Sequence, residues 1–75
     1  MQPRQQTLTD VVDAIRRYLS SHPEAVDSAE GIAKWWLPRE WCVDVATVEA
    51  ALARLLEQQL IQRRENADRH VLYSR

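Results

Sequence analysis

Between residues 44 and 64 the chain reads DVATVEAALARLLEQQLIQRR, and its apolar positions change period part-way along. At 100° per residue Val45, Val48, Leu52, Leu55 and Leu56 fall on one side of a helix, a stripe interrupted only by Gln59. Ala46, Thr47, Ala50, Ala53, Arg54 and Glu57 occupy the other side. Asp44 is placed to cap this helix, because its carboxylate can accept amide hydrogens that the first turn leaves unpaired. Val43 and Val48 stand at the spacing of a hydrophobic staple. After Gln59 the helical period is lost. Leu60 and Ile61 begin a short strand through Arg64, a turn follows at Glu65, Asn66, Ala67 and Asp68, and residues 69–73 return as a second strand.

The same reading predicts two earlier helices. Thr7 and Asp10 have the spacing of a capping pair, opening a helix over residues 8–20 with Leu8, Val11, Val12, Ile15, Tyr18 and Leu19 inward. Pro23 ends it by disfavouring helical backbone at His22. Glu24, Ala25 and Val26 supply a brief strand. Asp27 and Glu30 form a second capping pair for a helix over residues 28–37, with Ala29, Ile32, Ala33 and Trp36 inward and Pro38 as its stop. The polar residues 1–6 read as a loose tail, and 7–75 as one domain.

Size and composition narrow the function. Seventy-five residues make one small core, with no room for a second domain or an enclosed active-site cavity. A hydrophobic fraction of 45% is enough to fold. Net charge is −1 and the isoelectric point is near 6.1, whereas nucleic-acid-binding domains are usually clearly basic. The charge is nevertheless uneven. Residues 21–60 carry seven acidic side chains against Lys34, Arg39 and Arg54, and residues 61–75 carry Arg63, Arg64, Arg69 and Arg75 against Glu65 and Asp68. An anion-binding surface therefore belongs on the predicted hairpin. A single cysteine, Cys42, permits no internal disulfide and reads as a small buried side chain. His22 and His70 lie far from it and from each other, so no zinc-ligand spacing occurs. The lone glycine, Gly31, falls inside a helix and builds no phosphate loop. No catalysis, metal, cofactor or small-molecule substrate is expected. No apolar run spans a bilayer and the N-terminus has no signal-like core, which points to the cytoplasm.

Helix, short strand, helix, helix and hairpin in that order resemble the winged helix-turn-helix superfamily over residues 7–75. The implied class is α+β, mainly α, with three helices and a small antiparallel sheet ending in a β-hairpin wing. Thr47, Val48, Leu52, Leu55, Leu60, Ile61, Arg63 and the Asp68–Arg69 pair are similar to the third helix and wing of MarR-type regulators. In that family the wing Asp and Arg shape the hairpin and place a cation in the minor groove. The resemblance thus implies phosphate or minor-groove contact for Arg69 with Arg63 and Arg64; Thr47 and Arg54, on the outward side of the third helix, are the further candidates for DNA contact. The chain departs from the family at Gln59, where a glycine is usual, in lacking flanking dimerisation helices, and in a third helix poor in base-reading side chains.

Two functions follow, the first as the leading reading and the second as its alternative. One is a small DNA-binding transcriptional regulator whose partner is double-stranded DNA, gripped by the hairpin arginines. The other is a protein-interaction module, with a protein or a second copy of the chain as partner. Its surface would be Trp35, Trp41 and the alanine-rich face at Ala46, Ala50 and Ala53. Tryptophan is enriched among interface anchors, and a smooth alanine face lets another helix approach closely.

Overall fold

The computed structural model describes residues 6–75 and has the element order helix, strand, helix, helix, strand, strand. Helix α1 is Leu8–Ser21, strand β1 is Val26–Asp27, and helix α2 is Ala29–Gly31, continued by a π-helical turn over Ile32–Trp36. Helix α3 is Val45–Glu57, and strands β2 (Gln62–Glu65) and β3 (Val71–Ser74) form a hairpin. The three strands make one antiparallel sheet in the order β1-β3-β2. It is a small α+β domain in which three helical segments pack on one three-stranded sheet. The tail assigned to residues 1–6 lies, for residues 1–5, outside the described residues.

Helices α1 and α3 begin where their caps predict. Thr7 Oγ1 accepts from the Asp10 amide and the Asp10 carboxylate accepts from the Thr7 amide, so two orphan donors of α1 are satisfied reciprocally. Asp44 Oδ1 accepts from the Thr47 amide at 3.0 Å and starts α3. Hydrogen bonding to Thr47, through its side chain and then its amide, holds the Asp44 carboxyl below its ordinary value.

The second helix departs from the sequence reading. Its cap is Ser28, whose Oγ accepts from the Gly31 amide, and not Asp27. Asp27 instead closes the preceding strand, and its Oδ1 accepts from the Ser28 amide at 2.8 Å. The carboxylate thereby lies over Gly31, where an added Cβ would collide with it and push it aside. The single α-helix expected over residues 28–37 gives way after Gly31 to i→i+5 bonding. Leu37 is already extended, at φ −102° and ψ 155°, because Pro38 follows. Ile32, Trp36 and Leu37 all reach the core while Trp35 points out.

The core is one contiguous cluster. Val11, Val12, Ile15 and Leu19 of α1 meet Val48, Ala51, Leu52 and Leu55 of α3, closed by Ile32, Trp36 and Leu37, with Ile61 and Tyr73 from the sheet end. A three-ring stack ties α1 to the π turn. Tyr18 lies 4.8 Å from Trp36 at an interplanar angle of 12°, and 4.2 Å from His22 at 16°.

The strands are shorter and later than expected. The strand placed at residues 24–26 is Val26–Asp27, the one starting at Leu60 begins at Gln62, and Arg69 and His70 belong to the loop. Leu60 and Ile61 are taken up by the exit from α3. There Leu60 N–H bonds Leu55 C=O and Gln59 N–H bonds Leu56 C=O, each at 3.0 Å. This is the paired closure that ends a helix with a left-handed residue, and Gln59 has φ 59°. Gln59 therefore does the work of the missing glycine, at a cost of roughly 1 kcal/mol for a side chain in that region. Gln59→Gly is expected to raise stability by about 0.5–1 kcal/mol, read as a higher urea midpoint at unchanged slope. An unchanged or lower midpoint would mean that the glutamine is not strained.

Candidate functional site

The hairpin tip is built around Asn66. Its backbone N–H bonds His70 C=O and its C=O accepts from Arg69 N–H, both at 2.9 Å. Its Oδ1 accepts from the amides of Asp68 and His70 at 3.0 Å each. Five residues thus turn the chain, and the left-handed position that closes such loops is filled by Arg69, at φ 65°. Asn66 is absent from the sequence-level candidates. The signal for it was present, since an Asn ahead of Asp in a polar turn is a known self-bonding side chain.

Register decides which side chains meet. Arg63 pairs with Tyr73 and Asp27 pairs with Tyr73 from the other side, so all three share the face of the sheet that looks onto the helices. Arg64 pairs with Leu72, and Val26 and Gln62 pair with Ser74, so these lie on the opposite, outer face. The expected arginine cluster is therefore split. Arg63 and Arg69 line one cleft, and Arg64 does not.

That cleft has a volume of about 550 Å³ between the sheet, the start of α2 and the first half of α3. Its walls carry Asp27, Glu30 and Glu49 opposite Arg63, Arg69 and His70. Three carboxylates facing two guanidinium groups make a mixed-charge surface, and a polyanion entering it meets as much repulsion as attraction. Arg63, Arg64 and Arg69 are exposed and hold no ion-pair partner among the described residues.

The outward face of α3 is as the helical period requires. Ala46, Glu49, Ala50, Ala53 and Arg54 are exposed, with Arg54 in the last turn. Thr47 is half-buried and beside the cap, in a shallow hollow with Cys42, Val43 and Asp44. Cys42 is exposed; the buried position read for it is wrong, because residues 41–44 run as irregular chain over the surface and only Trp41 and Val43 turn in.

The two tryptophans expected at an interface separate. Trp41 packs against the core and lines a shallow groove with Asp10, Asp13, Ala14 and Arg17 of α1. Trp35 is 71% exposed, the most exposed large apolar side chain of the described residues. Trp35, Trp41 and the alanine face of α3 share none of these hollows.

No group of three or more potential metal ligands occurs among the described residues. No helix among them is long and apolar enough to cross a membrane. Compared with known proteins, the chain matches no family model, no curated sequence and no solved structure.

Proposed function

We propose that this protein is a non-catalytic interaction domain on a winged-helix plan, and that its partner is another protein. The order helix, strand, helix, helix, hairpin, with β1 adding to β3, supports the plan. The observation that carries the protein-binding reading is Trp35. A ring 71% exposed beside a fully committed Trp36 has no packing reason to be tryptophan, and such rings anchor protein interfaces.

A second reading is retained because Arg63, Arg64 and Arg69 are all exposed on the hairpin: a DNA-binding regulator that grips phosphates there. Against it stands the face of α3. Base readout calls for Arg, Lys, Asn, Gln or Ser near the helix N-terminus, and Ala46, Glu49 and Ala50 occupy those places, with Glu30 and Asp27 across the cleft.

One paired measurement separates them. Immobilised wild-type chain, Trp35→Ala and the triple change of Arg63, Arg64 and Arg69 to Ala are each exposed to nuclease-treated lysate of the source cells. The expected result is one captured protein species that is lost with Trp35→Ala and kept by the triple variant. Titration of mixed-sequence duplex in low salt supplies the other arm. DNA binding would appear as affinity falling with salt at a logarithmic slope of about −3 for three phosphate contacts, abolished by the triple change. That outcome, with no Trp35-dependent capture, would replace the protein-binding reading by the regulator.

A further inference from the structure

Strand β2 is an edge. Among the described residues it has β3 on one side and no strand on the other, and all four of its residues, Gln62, Arg63, Arg64 and Glu65, are exposed. The loop closure tells which backbone groups point outward. Asn66 N–H bonds His70 C=O, so that pair is hydrogen-bonded, and alternation along an antiparallel ladder makes Arg64–Leu72 and Gln62–Ser74 hydrogen-bonded too. The amides and carbonyls of Arg63 and Glu65 therefore face the free edge. The strand contains no proline and no bulge to block it.

Its charges select what can pair there. Because only Arg63 and Glu65 face the edge, a second copy pairing antiparallel must set Arg63 opposite Arg63, Glu65 opposite Glu65, or Arg63 opposite Glu65 with Arg64 opposite Arg64. Each of these registers brings one like-charged pair directly opposite, which is destabilising, whereas an acidic segment can match all three charges. We propose that β2 accepts an extended acidic segment of a partner protein as a fourth, antiparallel strand. Read N to C, that segment carries a basic residue opposite Glu65, two successive acidic residues opposite Arg64 and Arg63, and a polar residue opposite Gln62. Because neighbouring residues alternate faces, its two carboxylates lie one on each face of the sheet, as Arg63 and Arg64 do. Backbone bonding through Arg63 and Glu65 supplies affinity, and the charge pairs supply register and direction. The cleft carboxylate Asp27 sits on β1, two strands away from β2, so the added strand lies about 14 Å from it, beyond the screening length of physiological salt.

This deepens the protein-binding reading and rests on it, but its readout is independent of Trp35. The probe is a capped peptide Thr-Lys-Glu-Glu-Thr-Val, with the charge-reversed Thr-Glu-Lys-Lys-Thr-Val as its counterpart, titrated into ¹⁵N-labelled chain. The acidic peptide is expected to shift the Arg63 and Glu65 amides and slow their hydrogen exchange, and to bind at least about tenfold more tightly than its counterpart. Arg63→Glu with Arg64→Glu, both at exposed positions, is expected to invert that preference with the fold retained. Equal binding of both peptides, shifts confined to α1 or α3, no binding of either, or dimerisation through β2 would each overturn the proposal. Peptide binding that persists in Trp35→Ala while lysate capture is lost would place the two contacts at separate surfaces and leave this one standing.

Discussion

Trp36→Ala is expected to remove about 3–5 kcal/mol of stability, most of what a domain of this size possesses. The ring is only 6% exposed, is stacked on Tyr18 at 4.8 Å, and sits where the π turn meets α1. Truncation leaves a cavity that no neighbour can fill, because Ile32 and Leu37 on either side are already buried. It also leaves Tyr18 stacked only on His22, which is exposed. Chemical denaturation and loss of near-ultraviolet circular dichroism measure the effect. The adjacent Trp35→Ala is the internal control, since its ring is in solvent and its removal should change stability by no more than about 0.5 kcal/mol. Equal losses at the two positions would mean that Trp35 is buried in solution.

Leu52→Ala should cost about 3 kcal/mol and lower the melting temperature by roughly 10–25 °C. Leu52 is fully buried at the middle of α3, against the α1 face that carries Val11 and Ile15. With a rigid helix on either side the site cannot collapse, so the loss includes a cavity contribution as well as lost transfer energy. Ala51 is equally buried one residue away but has only a methyl to lose. Ala51→Gly is therefore dominated by helix propensity and should cost about 1 kcal/mol. Comparable losses at 51 and 52 would show that α3 is held by its backbone preferences more than by its packing.

Local chemistry made several features legible in advance. Thr7 with Asp10, and Asp44 with Thr47, act over three residues and need nothing from the rest of the chain. The inward stripes of α1 and α3 follow from periodicity, and the buried set at Val11, Ile15, Val48, Leu52 and Leu55 lies on them. The exit of α3 was harder to place. Apolar Leu60 and Ile61 look like strand, but the helix closes through Leu60 N–H on Leu55 C=O and Gln59 N–H on Leu56 C=O, with Gln59 left-handed, and the strand begins only at Gln62. Asp27 read as a cap because capping pairs have a fixed spacing. Ser28 takes that role because pairing with Tyr73 holds Asp27 in the sheet.

What the amino-acid order determined by itself is the caps of α1 and α3, the proline stops and the apolar stripes, and hence three helical segments followed by a hairpin, because those signals act within a turn or two of backbone. Which arginines share a surface was decided only by the tertiary structure. Strand side chains alternate faces, so a one-residue change of register would exchange Arg63 with Arg64, and register comes from pairing with β3 and from the Asn66 loop. The carboxylates of Asp27, Glu30 and Glu49 likewise reach the Arg63 and Arg69 cleft from three separate elements, brought together only by packing. Helical spacing already placed Trp36 inward, whereas Trp35 and Trp41 were separated only by packing, which leaves the first in water and turns the second against the core.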